Sequence, residues 1–95
     1  MASSKQYLAW QKQHPNFITP EVLEYEILPN GYIVELSEGT GFDHEPYYGV
    51  TLLIHKDEKI AVAHGEQRNR SGKSRLAMEN YYNELIEIVR KWRAI

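Results

Sequence analysis

The chain of 95 residues contains no cysteine, which removes disulfide frameworks and thiolate metal sites from the range of architectures. No apolar run approaches the length of a membrane span or of a secretory core. The composition of a disordered chain is missing as well, because hydrophobic residues make up 42 % and charged residues 25 %, an ordinary globular balance. A strong excess of positive charge is also absent, since the net charge is −2. Together these absences predict a soluble cytoplasmic protein that folds as one domain over residues 1–95.

Two kinds of chemistry are missing at the level of motifs. The stretch "HGEQRNRSGKSR" (His64 to Arg75) ends in Gly-Lys-Ser between a strand pattern and a helix pattern, as a phosphate-binding loop does. Six residues separate Gly65 from Gly72, whereas convergence of successive backbone N–H groups on one phosphate needs four. Nor does the sequence offer a nucleophile with a placed base or two carboxylates in a credible cleft, so the expectation is a protein that is not an enzyme. His44, His55 and His64 lack the Cys or carboxylate spacing of a zinc site, and no metal or other cofactor is expected.

The residues present are arranged in clear periods. Ser3 or Ser4 caps a short helix with Tyr7, Leu8 and Trp10 on one side, stopped at His14–Pro15. In "VLEYEILPNGYIVEL", Leu23, Tyr25 and Ile27 alternate with Glu24 and Glu26, and Tyr32, Val34 and Leu36 alternate beyond Pro-Asn-Gly. Period two on both sides of Asn-Gly predicts a hairpin. Thr19 as N-cap and Pro20 at the first helical position support a competing helix over Pro20 to Leu28; the Glu-Tyr-Glu alternation favours the strand. Glu24, Glu26 and Glu35 would then face one another across the hairpin as a solvated acidic patch.

"SEGTGFDHEP" (Ser37 to Pro46) has the Gly, Asp and Pro of a long loop. Tyr47 to His55 and Lys59 to His64 form a second predicted hairpin about Asp57–Glu58, with Val50, Leu52 and Ile54 facing one way and Thr51, Leu53 and His55 the other. From Ser74 to Ile95, Met78, Tyr81, Leu85, Ile88 and Trp92 recur at helical spacing, widened by Tyr82, Ile86 and Val89. The order predicts an α+β domain, α-β-β-β-β-α, in which an antiparallel sheet of three to four strands carries the N-terminal and long C-terminal helices on one face.

Charge is divided along the chain. Residues 1–60 carry four lysines against nine carboxylates, a local balance of −5, and residues 61–95 carry seven cations against four glutamates, a balance of +3. Arg68, Arg70, Lys73 and Arg75 crowd into the stretch before the last helix.

Two stretches resemble the double-stranded RNA-binding domain. "GTGFDHEPYYGVTLLI" looks like that family's Gly-Pro-x-His loop and the strand after it: Gly41, Asp43 and His44 match, Phe42 stands in place of proline, and Tyr48 falls near the aromatic that opens the strand. "EQRNRSGKSRLAMENYYNEL" is similar to the basic start of the family's final helix, with Ser74 at its serine, Arg75 at its first basic position, and Met78, Tyr81 and Tyr82 where alanines are usual. The resemblance spans roughly residues 32–93. It implies a small non-catalytic module binding duplex RNA by shape and phosphate contacts, with His44 in a minor groove and Arg68, Arg70, Lys73 and Arg75 on phosphates. The alternative of another class is a protein-binding module or small inhibitor using the acidic hairpin or an aromatic patch, in keeping with seven tyrosines and two tryptophans.

Overall fold

Two strands joined through Pro29-Asn30-Gly31 open the architecture in the computed structural model, which describes Lys5, Tyr7, Ala9 and residues 21–40, 43–57, 59–63 and 68–95. β1 (Glu21–Ile27) and β2 (Tyr32–Thr40) pair antiparallel. Leu28 N–H donates to the Tyr32 carbonyl at 2.9 Å, and Gly31, at φ 97°, donates back to the Leu28 carbonyl at 3.2 Å. Glycine suits this place because a side chain at that φ is strained. The strand reading of residues 21–27 therefore holds over the helical one.

β3 (Pro46–Lys56) pairs along its whole length with β2, from Thr40↔Pro46 to Tyr32↔Ile54. β2 thus runs through Thr40, into the segment expected to be loop. β4 (Lys59–Val62) returns from β3 through a two-residue turn in which Asp57 takes φ 53°, a conformation that Asp tolerates better than most residues. The other half of the same β3 edge is taken by β5 (Arg70–Gly72), through Val50↔Arg70, Gly49↔Ser71 and Tyr48↔Gly72. Between the two short strands, Leu52 donates its N–H to Asn69 Oδ1 at 2.8 Å and accepts from Ala63 N–H at 2.9 Å. A side-chain amide thereby continues the ladder where backbone pairing passes from β4 to β5.

The sheet buries both faces. Val34, Leu36, Val50 and Leu52 form one core with Tyr81, Tyr82, Leu85, Ile86 and Val89 of the helix α1 (Arg75–Arg90). Ile33, Leu53 and Tyr7 form the other, with Tyr25, Ile27, Ile60 and Val62 packed around them. β1 supplies both cores because its register slips: Val22 faces Ser37 but Glu24 faces Leu36, so Leu23 and Glu24 together oppose one residue. This bulge sends Leu23 to the α1 side, while Tyr25 and Ile27, in regular register with Glu35 and Ile33, face the other. The uniform alternation read from the sequence placed all three on one face, and the bulge corrects it.

α1 begins at Ser74, whose Oγ accepts the Ala77 N–H at 3.2 Å, as an N-cap serine does. It ends at Arg90, short of the expected Ile95. The stop is built by the first hairpin: Asn30 Nδ2 donates to the carbonyls of Val89 at 2.8 Å and Trp92 at 3.2 Å, while Asn30 O accepts from Ile95 N–H at 2.9 Å. The Asn30 amide adds a donor to carbonyls of the helix end, where the Val89 carbonyl also accepts the Trp92 N–H at 2.9 Å.

The predicted N-terminal helix lies, apart from Lys5, Tyr7 and Ala9, outside the described residues. Tyr7 settles one part of the expectation: it packs with Ile33 and Leu53, on the face opposite α1. Tyr7 and α1 thus lie against opposite faces of the sheet, because β2 and β3 carry apolar side chains at both alternating positions and need cover on each side.

Leu85 is fully buried at the centre of the α1 core, and Leu85→Ala is expected to lower stability by about 2 to 5 kcal/mol in denaturant unfolding. For Asn30, replacement by alanine should cost about 1 to 3 kcal/mol. Asn30→Asp should cost more, since it sets a carboxylate against carbonyls at the negative end of the helix.

Candidate functional site

The basic stretch resolves into β5 and the N-terminus of α1, and each of its cations has a partner. Lys73 forms an ion pair with Asp43, and Arg75 Nε donates to Glu79 Oε1 at 2.7 Å across one helical turn. Arg70 lies 4.3 Å from the centroid of the Tyr81 ring. Arg68 lies 5.5 Å from the Trp92 ring, and its carbonyl accepts the Tyr81 hydroxyl. Asp43 holds the Lys73 ammonium above its ordinary pKa, and Glu79 does the same for the Arg75 guanidinium. The Asp43 carboxyl falls below the usual range through its bond to Lys73 and then through the Glu45 amide, which donates to Oδ1 at 3.1 Å.

These contacts bring part of the expected site together. Asp43 ties the His44 turn, where His44 is exposed at φ 63°, to Lys73 beside the start of α1. Arg70 and Arg68 lead away along the flank of the helix toward Trp92. Glu45 also acts on Lys73, and Glu38 on Arg75. Lys73 and Arg75 therefore share their surroundings with Glu38, Asp43, Glu45 and Glu79, so half of the positive cluster visible in the linear sequence meets counter-charge in space, while Arg68 and Arg70 rest on aromatic rings. The helical spacing of Arg75 and Glu79 was readable in the sequence; the approach of Asp43 from a loop thirty residues away was not.

A second arrangement lies at the outer strand. Among the described strands β1 pairs with β2 alone, and α1 crosses over β2, β3 and β5, leaving a groove between β1 and the side of the helix. The groove has a volume of about 410 Å³ and is lined by Val22 to Glu26 together with Tyr82, Asn83 and Ile86. Five consecutive strand residues line it, as happens when the edge of a strand, and not one face alone, forms the wall. Glu24 and Glu26 oppose Leu36 and Val34 and so lie on the α1 side. Burial raises the pKa of the Tyr82 hydroxyl, and the charges of Glu24 and Glu26 raise it further, which places both carboxylates near that hydroxyl.

The expected meeting of Glu24, Glu26 and Glu35 does not occur. Glu35 pairs with Tyr25 on the opposite face, where it is fully buried and accepts the Tyr7 hydroxyl at 2.7 Å. Burial, the Glu35 charge and this hydrogen bond together push the Tyr7 pKa well above that of a free tyrosine. Nearby in the strand, Ser37 Oγ is buried with no hydrogen-bond partner among the described residues. Among those residues, no three His, Asp or Glu side chains converge as metal ligands.

Comparison of the chain with protein-family models, with curated proteins and with solved structures finds no match. The likeness to the double-stranded RNA-binding domain therefore rests on its two stretches of sequence.

Tyr7 and Tyr82 both favour their neutral forms in the folded protein. Their contribution to stability is fully present below about pH 10, where free tyrosine ionises, and is lost as pH rises toward the elevated folded values. An ultraviolet titration should show both hydroxyls ionising only as the fold is lost in alkali, with one fewer such group in Tyr7→Phe. That variant should also unfold more readily at neutral pH, by about 1 to 3 kcal/mol, because Glu35 loses a donor.

Proposed function

We propose that the chain is a small non-catalytic binding module whose partner is a protein, engaged at the groove between β1 and α1. The observation that carries the reading is an outer strand bordering an open groove whose described lining residues include two carboxylates and no cation. Exposed strand edges are places where another chain pairs, and an aromatic residue beside the groove supplies the contact surface enriched at interfaces. The basic stretch is the weaker candidate because Asp43, Glu79 and the cation–aromatic contacts already engage its charges.

A second reading keeps duplex RNA as the partner. It is favoured by one observation: the Lys73–Asp43 pair holds the His44 turn beside the start of α1, the adjacency that a minor-groove loop and a phosphate-binding helix end require. On this reading His44, Lys73 and Arg75 form the contact surface, with Arg68 and Arg70 extending it.

Amide NMR titrations separate the two. Cationic peptides should move the resonances of residues 22–26 and 82–86, while a duplex of about 20 base pairs, longer than the roughly 16 spanned by such domains, should leave the spectrum unchanged at physiological salt. Duplex-induced shifts at His44, Lys73 and Arg75, lost in Lys73→Ala with Arg75→Ala and weakened steeply by salt, would instead establish the RNA reading.

A further inference from the structure

The direction of the β1 backbone specifies what kind of protein segment the groove takes. In an antiparallel pair, backbone groups point toward the partner strand at alternate residues and away at those between. Leu28 donates to Tyr32, so counting back by two directs the backbone of Glu26, opposite Val34, and Glu24, opposite Leu36, toward β2. The N–H and C=O groups of Tyr25 and Ile27 point the other way, to the edge that pairs with no other described strand. The bulge at Leu23 closes this regular stretch at its beginning, and the turn at Pro29 closes it at its end.

The side chains along that edge differ sharply between the two faces. Glu24 and Glu26 stand on the groove side with Tyr82. Tyr25 and Ile27 stand on the other side, where the Tyr25 ring packs on Tyr7 at 4.6 Å between centroids. A strand laid antiparallel on the edge would place alternate residues beside Glu24 and Glu26 and the intervening residues beside Tyr25 and Ile27. The first set must be cationic to match two carboxylates, and the second apolar to match an aromatic and an aliphatic side chain.

A second copy of this chain does not fit. Antiparallel pairing of two β1 strands would bring Glu21, Glu24 and Glu26 of each against those of the other, and like charges directly opposite are destabilising. The same carboxylates that recruit a cationic strand protect the edge from self-association.

We propose that β1 accepts, by antiparallel strand addition, an extended partner segment in which Lys or Arg alternates with apolar residues, the cations entering the groove at Glu24, Glu26 and Tyr82. This rests on the protein-partner reading above and adds the conformation, direction and side-chain pattern of the partner. In such a complex the amides of the apolar residues bond to Tyr25 and Ile27, while those of the cationic residues face outward.

The test uses the full chain and a blocked peptide of alternating lysine and valine, about eight residues long, the length of an ordinary strand. Binding is expected to shift the Tyr25 and Ile27 amides and to protect them from hydrogen exchange. N-methylation at valine should abolish binding, and N-methylation at lysine should leave it intact. Glu24→Gln with Glu26→Gln should weaken affinity about tenfold or more, as expected for two lost charge-assisted contacts, while circular dichroism confirms an unchanged fold. Equal affinity of the valine-methylated peptide would overturn strand addition yet leave a protein-binding groove in place. Absence of any shift in β1 or α1 with every cationic peptide would overturn this inference and the reading beneath it together.

Discussion

One extra residue in β1 decides how that strand serves the two cores on either side of the sheet. By letting Leu23 and Glu24 share a position opposite Leu36, the bulge allows a seven-residue strand to supply apolar side chains to both faces of the sheet. Leu23 then reaches the core under α1, and Tyr25 and Ile27 reach the core around Tyr7. Without it, Leu23, Tyr25 and Ile27 would all lie on one side and the other core would be left short at its edge. Glu24 and Glu26 lie on the α1 side through their register with Leu36 and Val34, where the helix leaves the groove open.

Two-sided burial in so short a chain draws on residues between the strands as well as within them. Asn69 fills the gap in the ladder between β4 and β5, and Asn30 ends the helix while holding the C-terminal Ile95. The buried Glu35 is tolerated beside Tyr7 because a desolvated carboxylate with a donor is far less costly than one left alone. These polar groups lie where backbone or carboxylate demands would otherwise go unmet, and they join elements distant in sequence.

Charge shows why a linear count misleads. The last 35 residues have an excess of cations, but Asp43 and Glu45 arrive from the loop before β3 and Glu38 from the end of β2. The acidic half of the chain thus supplies counter-charge to the basic stretch, while Glu24 and Glu26 stay with a groove that has no cation among its described lining residues. Surface ion pairs such as Lys73–Asp43 contribute little stability; their consequence here is to determine which surface retains an unbalanced charge.

Sequence by itself determined the elements whose pattern is local: the Asn-Gly hairpin, the opposed faces of β3, the turn at Asp57 and the apolar stripe of α1. Each follows from the two-residue or 3.6-residue repeat of backbone geometry, or from turn chemistry confined to a few neighbours. β5 was not legible, because Arg-Ser-Gly has no alternation and becomes a strand only when β3 offers it an unpaired edge. The bulge at Leu23 was equally silent, since the alternation of Leu23, Tyr25 and Ile27 fits a regular strand as well. The separation of Glu35 from Glu24 and Glu26, the pairing of Lys73 with Asp43 and the opening beside β1 were decided only by tertiary structure. Register and the crossing of the helix bring together residues far apart in the chain, and neither is encoded in the spacing of nearby side chains.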